Sequence, residues 1–175
     1  MGMTDPELIK RALKGGPVDN DIELAAAIGG CSNNWAHAES RLTILFCILS
    51  RTDLTTGVII FSHFKATRVQ SDVLKRLGRL STLMTPERLE LLNSLLKEYQ
   101  SLADERNQLI HNPIGMGEEL YIMLRDKAPL PDAIPYKTEP ISIDQIDDLS
   151  ERISTFNLKA TILNRAMRKI PDEGA

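Results

Sequence analysis

The stretch SIDQIDDLSERISTFNLKATILNRAMRKI, residues 142–170, decides the fold. Ser142 and Gln145 stand at capping-box spacing, in which each side chain binds the other residue's backbone N–H and starts a helix. Apolar residues then recur at alternating steps of three and four: Ile146, Leu149, Ile153, Phe156, Ala160, Leu163, Met167 and Ile170. Because this spacing is kept for three heptads, it predicts a long helix in near-parallel packing.

Three more long helices are predicted upstream of this one. The first covers about residues 33–51, and the second starts at Asp53, a suitable N-cap, and continues to about residue 83. The apolar run 58–64 predicts that the second helix is the most buried. The third begins at Thr85-Pro86 and ends just before Pro113, since the residue preceding proline avoids the helical region.

The remaining segments complete an all-α prediction. Residues 1–30 are expected to form an N-terminal arm of short helices that stops at Gly29-Gly30, and residues 31–175 form the main domain. Before the last helix, apolar runs at 120–124 and 134–141 flank turn residues and predict a small β-hairpin. The predicted fold is therefore an antiparallel bundle of four long helices with short N-terminal helices.

Composition restricts the classes of function. The net charge is −3, which excludes a broad electrostatic surface for sequence-independent nucleic-acid binding. Cys31 and Cys47 lack CxxC spacing and are expected to be small core residues in a reducing compartment. Neither a signal-peptide core nor an apolar run of membrane-spanning length is present, so we expect a cytoplasmic protein without a membrane partner.

The third predicted helix places one arginine in an unusual position. Its apolar seam runs through Ala103 and Ile110, and Arg106 lies between them on the same face. A guanidinium stays charged, so Arg106 must reach solvent, meet a carboxylate or face an anion. His111 lies about 140° around the helix, on the polar side, and one turn from Asn107. It stands in the last turn, where the helix dipole favours a protonated imidazole.

The segment Glu105-Arg106-Asn107-Gln108-Leu109-Ile110-His111 resembles the R-x4-H signature of the HEPN superfamily, with the polar residue that commonly follows the arginine. The place of this motif, at the end of the third long helix and before a turn and a last long helix, also matches that family. The sequence Trp35-Ala36-His37-Ala38-Glu39 resembles uncharacterised bacterial members. The resemblance covers about residues 33–170, although its specific part is only six residues long.

This resemblance implies a function and roles for three residues. HEPN ribonucleases cut RNA without a metal ion, so Arg106 would bind the scissile phosphate and His111 would act as general base or acid. Asn107 would orient the histidine or the phosphate. The resemblance further implies a homodimer with two motifs in one cleft, RNA or a nucleotide as ligand, and an antitoxin-like protein partner in a toxin or defence system. Some members of such families bind RNA without cutting it.

The alternative interpretation is a non-catalytic dimeric interaction protein. In that case Arg106 forms a structural ion pair with Glu39, which stands beside the apolar seam of the first long helix. His37 and His63 are then single surface histidines or satisfied core groups. The chain has no glycine-rich phosphate loop and no H-x3-H or E-x-x-H spacing, so we expect neither a cofactor nor a metal site.

Overall fold

The structure is a computed structural model that describes residues 21–112, 114–116, 120–125 and 136–168. Within these ranges the chain is mostly helical, as predicted, and forms a helical bundle with a small antiparallel sheet. In chain order the elements are α1 (Ile22–Ser50), α2 (Leu54–Ser62), α3 (Thr67–Leu80), α4 (Pro86–His111), β1 (Ile114–Met116), β2 (Leu120–Arg125), β3 (Tyr136–Pro140) and α5 (Ile143–Arg168).

The two helices with the clearest sequence signals begin where expected. The backbone N–H of Ser142 donates to Gln145 Oε1 at 2.8 Å, and the N–H of Gln145 donates to Ser142 Oγ at 3.2 Å, which is the predicted capping box of α5. The described part of its apolar seam, from Ile146 to Met167, is buried throughout. Helix α4 starts at Pro86 and ends at His111, which confirms the predicted third helix.

Helix α1 corrects the predicted N-terminal boundary. Asp21 caps it by accepting hydrogen bonds from the N–H groups of Glu23 and Leu24, both at 3.0 Å. The predicted stop at Gly29-Gly30 is wrong, because the helix continues to Ser50. Two glycines weaken a helix by only about 1 kcal/mol each, less than the burial of the apolar seam on both sides of them contributes. The first helix of the predicted arm lies outside the described residues.

The predicted second helix is two helices, α2 and α3, with a break between them. At the break the ring of Phe64 packs edge-on against Phe46 and Phe61, at centroid distances of 6.3 and 5.9 Å. The side chain of Gln70 donates to the carbonyl of Phe64 at 2.8 Å. This bond gives the carbonyl a donor that it would otherwise lack, because the helix is interrupted here. No glycine or proline lies at this break, so no local signal predicted it.

The expectation that residues 58–64 form the most buried helix is also wrong. In α2 the residues Gly57 and Phe61 are buried, whereas Val58, Ile59 and Ile60 are exposed. The predicted N-cap is confirmed, since Asp53 Oδ1 accepts from the N–H of Thr56 at 3.0 Å. The hydrogen bonds from Thr56 lower the pKa of the Asp53 carboxyl.

The predicted hairpin is part of a three-stranded antiparallel sheet in the order β1-β2-β3. Ile114 pairs with Ile122 across the first two strands, and Met123 pairs with Thr138 across the second two. Gly115 lies opposite Tyr121, and a side chain at that position would collide with the tyrosine ring. The strand β1 was missed because three residues are too few to show a periodicity of two.

By compactness the chain divides into two units. One comprises residues 1–31 and 105–149, and the other comprises 32–104 and 150–175. In the first unit the buried apolar side chains include Leu24, Cys31, Ile114, Ile122 and Ile146. The division falls within α1, α4 and α5, so each of these helices contributes residues to both units.

The second unit is organised around three stacked aromatic rings. Trp35 and Tyr99 are 4.9 Å apart with an interplanar angle of 4°, and Tyr99 and Phe156 are 5.6 Å apart. The hydroxyl of Tyr99 donates to Gln70 Oε1 at 3.0 Å. These contacts join α1, α3, α4 and α5, so few aromatic residues suffice to organise this core.

No helix among the described residues is by itself long and apolar enough to cross a bilayer. Helices α1 and α2 together reach that length and composition, but the chain bends by 115° between them.

Candidate functional site at the end of helix α4

The sequence motif occupies the last two turns of α4. Arg106 is half-buried, and its neighbours Asn107 and Gln108 are exposed. This pattern agrees with the periodicity of the helix, which puts Arg106 on the seam and the two amides on the polar face. The arginine is therefore placed at the border between apolar packing and solvent, where a guanidinium keeps its charge while its methylene stem is covered.

Arg106 and Asn107 contact each other directly. The guanidinium Nη1 of Arg106 donates to Asn107 Oδ1 at 3.1 Å. Side chains of consecutive helical residues normally diverge by about 100°, so this contact requires the long arginine side chain to turn toward the polar face. With Oδ1 engaged by the guanidinium, the amide presents its Nδ2 donor group as the atom that can bind an acceptor.

The charge of Arg106 also reaches the buried thiol of Cys31 in α1. Burial raises the pKa of Cys31, and the nearby positive charge of Arg106 partly opposes that rise. A thiol with a raised pKa is neutral at pH 7, so Cys31 brings no negative charge to the site. Both cysteines are free and buried, which confirms that they are core residues.

His111 is the last residue of α4. His111 comes five residues after Arg106, so the two backbone positions are about 7.5 Å apart along the helix axis. The side chain of His111 lies outside the described part of the structure, so the predicted position of its imidazole stays a prediction. Just beyond it, Asn112 Nδ2 donates to the carbonyl of Gln108 at 2.7 Å and satisfies one of the open carbonyls of the helix end.

Glu39, the predicted partner of Arg106 in the alternative interpretation, is an exposed residue of α1. Its Oε1 accepts a hydrogen bond from the indole Nε1 of Trp35 at 3.0 Å. The spacing of four residues on one helix would have suggested this bond, because such residues lie one turn apart. Its pairing with Arg106 stays a prediction.

Two recesses lie elsewhere in the described structure. One, of about 800 Å³, is in the first unit, where β2 and the start of α5 meet Glu23. The other, of about 270 Å³, lies in the second unit beside the ion pair of Lys159 and Glu98, whose atoms are 2.9 Å apart. Neither is lined by Arg106 or Asn107.

The other histidines are placed away from any cluster of ligands. His37 is exposed on α1, and His63 is exposed after α2, with its Nδ1 donating to the carbonyl of Ile59 at 2.6 Å. Among the described residues, no group of three His, Cys, Asp or Glu side chains could hold a metal ion.

Comparison with family models, with curated proteins and with solved structures gives no match for this chain. The residues at the end of α4 therefore provide the chemical basis for a function.

Proposed function

We propose that this protein is HEPN-like and acts on RNA as a metal-independent endoribonuclease, with Arg106, Asn107 and His111 as its site. The observation that carries the proposal is the half-buried Arg106, which donates to Asn107 in the last two turns of α4. A fixed guanidinium next to an amide donor suits a phosphodiester, because both groups donate to phosphate oxygens. The same arrangement without cleavage would bind RNA or a nucleotide.

The proposed reaction is an internal transfer at phosphorus. His111 accepts the proton of a ribose 2′-hydroxyl, and the 2′-oxygen then attacks the adjacent phosphorus. The bond from phosphorus to the 5′-oxygen breaks, a 2′,3′-cyclic phosphate forms, and the departing 5′-oxygen takes up a proton. Arg106 stabilises the charge that develops on the phosphate oxygens, and Asn107 holds the guanidinium or the phosphate in position.

A homodimer would complete this site. Since Asn107 is exposed, a second chain would enclose the phosphate and exclude water. Two copies of the motif facing one cleft would also provide a second histidine as the proton donor for the departing oxygen.

The test is cleavage of a mixed-sequence RNA in EDTA by wild type, His111→Ala, Arg106→Ala and the matched control His37→Ala. We expect wild type and the control to cleave equally, because His37 is an exposed histidine elsewhere on α1. Loss of the general base should lower the rate about 100-fold or more, and the wild-type products should end in 2′,3′-cyclic phosphate.

If folded wild type does not cleave but binds RNA in an Arg106-dependent way, the binding module is the correct function. If it neither cleaves nor binds, or if His111→Ala cleaves like wild type, the ribonuclease proposal fails. The non-catalytic interaction protein then becomes the better interpretation.

A further inference from the structure

Helix α2 exposes an apolar face. The solvent-exposed fractions of its large apolar side chains are 60% for Leu54, 46% for Val58, 58% for Ile59 and 40% for Ile60. No residue from Leu54 to Ser62 is charged. Single exposed apolar residues are common on proteins, but three in succession on a short helix place a large apolar area in water, which is unfavourable.

The geometry of α2 directs this face away from the protein. At about 100° per residue, the buried Gly57 and Phe61 mark one side of the helix, and Ile59 lies opposite them. Val58 and Ile60 flank Ile59. Val58, Ile59 and Ile60 therefore cover the outer side of α2, here called the ridge.

Basic side chains stand at both ends of this ridge. Arg51 precedes α2, Lys65 and Arg68 follow it, and all three are exposed. The nearby acid, Asp53, is engaged as the N-cap of α2. Residues 51–79 contain six basic and two acidic side chains, a net charge of +4 in a chain whose net charge is −3.

Arg51 has a defined position at the end of α1. Arg51 ends α1 with φ at 55°, the left-handed conformation in which glycine is favoured. Its N–H donates to the carbonyl of Ile48, and the next N–H, of Thr52, donates to the carbonyl of Cys47, as in a Schellman motif. A non-glycine residue there costs about 1 kcal/mol. The Arg51 guanidinium donates to Thr82 Oγ1 at 3.2 Å, a contact at the protein surface.

The charge distribution distinguishes among the candidate occupants of this surface. A second copy of α2 would bring its own Arg51, Lys65 and Arg68 against the same residues, and like charges repel. RNA would match the basic residues but would leave the apolar ridge without a partner. An anionic lipid bilayer matches both features, because apolar side chains enter its interface while basic side chains bind its phosphates.

We propose that the α2 surface, formed by Val58, Ile59 and Ile60 with the flanking Arg51, Lys65 and Arg68, binds the surface of a bilayer containing anionic lipids. The helix lies on the membrane and does not cross it. This inference differs from our expectation from the sequence that the protein has no membrane partner, and it does not depend on the proposed ribonuclease activity.

The test is co-sedimentation of the full chain with vesicles, either of phosphatidylcholine alone or of phosphatidylcholine and phosphatidylglycerol in equal parts. We expect binding to the anionic vesicles, weaker binding at high salt, and little binding to the neutral ones. Ile59→Asp should weaken binding at least about tenfold, and so should the double variant Lys65→Glu/Arg68→Glu. The matched control is Leu158→Asp, since Leu158 is 62% exposed on α5, and it should bind like wild type.

A thermal melt checks that each variant is folded, and Val58→Asp replaces Ile59→Asp if the latter lowers the Tm. Absence of binding to anionic vesicles, equal binding to neutral ones, or equal losses for Ile59→Asp and Leu158→Asp would overturn the proposal. It would also be overturned if Ile59→Asp changed the oligomeric mass, because α2 would then be an interface between copies. Loss of RNA binding in Lys65→Glu/Arg68→Glu, with vesicle binding unchanged, would assign the basic residues to RNA instead.

Discussion

At the scale of single residues, Arg106 shows what a charged group on an apolar seam requires. Its guanidinium cannot be neutralised by losing a proton, so its surroundings must accept a permanent positive charge. The half-buried position at the end of α4 meets this requirement, because the stem packs while Nη1 reaches Asn107. The neighbouring Cys31 is kept neutral by burial. The positive charge of Arg106 is thus not offset by this thiol.

Glu39 separates the two interpretations of Arg106. We expect Glu39→Gln to change the free energy of unfolding by less than about 0.5 kcal/mol, because Glu39 is exposed and glutamine keeps an oxygen for the Trp35 indole. Glu39→Ala removes that acceptor and should cost about 1 kcal/mol. Urea denaturation of both variants, followed by the fluorescence of the single tryptophan, measures the difference.

A large loss of stability in Glu39→Gln would also decide between the two interpretations of Arg106. A loss of about 3 kcal/mol or more in Glu39→Gln would show that the carboxylate charge itself is needed, as in a buried ion pair. That result, matched by an equal loss in Arg106→Ala, would support the structural pair and the interaction protein.

At the scale of elements, two glycines that look alike in the sequence have opposite surroundings. A Cβ on Gly29, in the middle of α1, would meet no atom within 4 Å. A Cβ on Gly57, in α2, would collide with the sulfur of Cys47. The first glycine only weakens its helix, whereas the second allows α2 to approach α1 closely.

We therefore expect Gly29→Ala to raise the free energy of unfolding by about 0.5–1 kcal/mol, since alanine is the better helix former. Gly57→Ala should lower it by about 1–3 kcal/mol, because the added methyl overpacks a filled site. Chemical denaturation of the two variants under identical conditions checks both signs.

Combining Gly57→Ala with Cys47→Ala tests the physical cause. Removal of the sulfur should relieve the collision, so the loss in the double variant should be smaller than the sum of the two single losses. Additive losses would mean that the cost of Gly57→Ala arises elsewhere than at Cys47.

At the scale of the whole molecule, the proposed function requires two chains. We expect light scattering after gel filtration to give twice the chain mass of 19.5 kDa. The exposed position of Asn107 is the reason, since a phosphate bound there is enclosed only if a second surface covers it. A strictly monomeric protein that still cleaves RNA would refute the two-chain site while leaving the ribonuclease proposal intact.

Local signals in the sequence determined much of the fold. The capping box at Ser142, the Thr85-Pro86 start of α4 and the apolar seam of α5 all depend on residues within a few turns of one another. The predicted and observed starts of these helices agree because capping and helical periodicity depend on neighbouring residues. The sequence also predicted that Arg106 lies on an apolar seam, and its half-buried position agrees with that prediction.

Tertiary contacts decided what the local signals left open. Helix α1 passes through Gly29-Gly30 because buried residues on both sides outweigh the small cost of two glycines. The break before α3 depends on the packing of Phe64 against Phe46, which lies far away in the sequence. The exposure of α2 could not be predicted from its apolar composition. Composition does not show which side chains of a helix are covered by other elements.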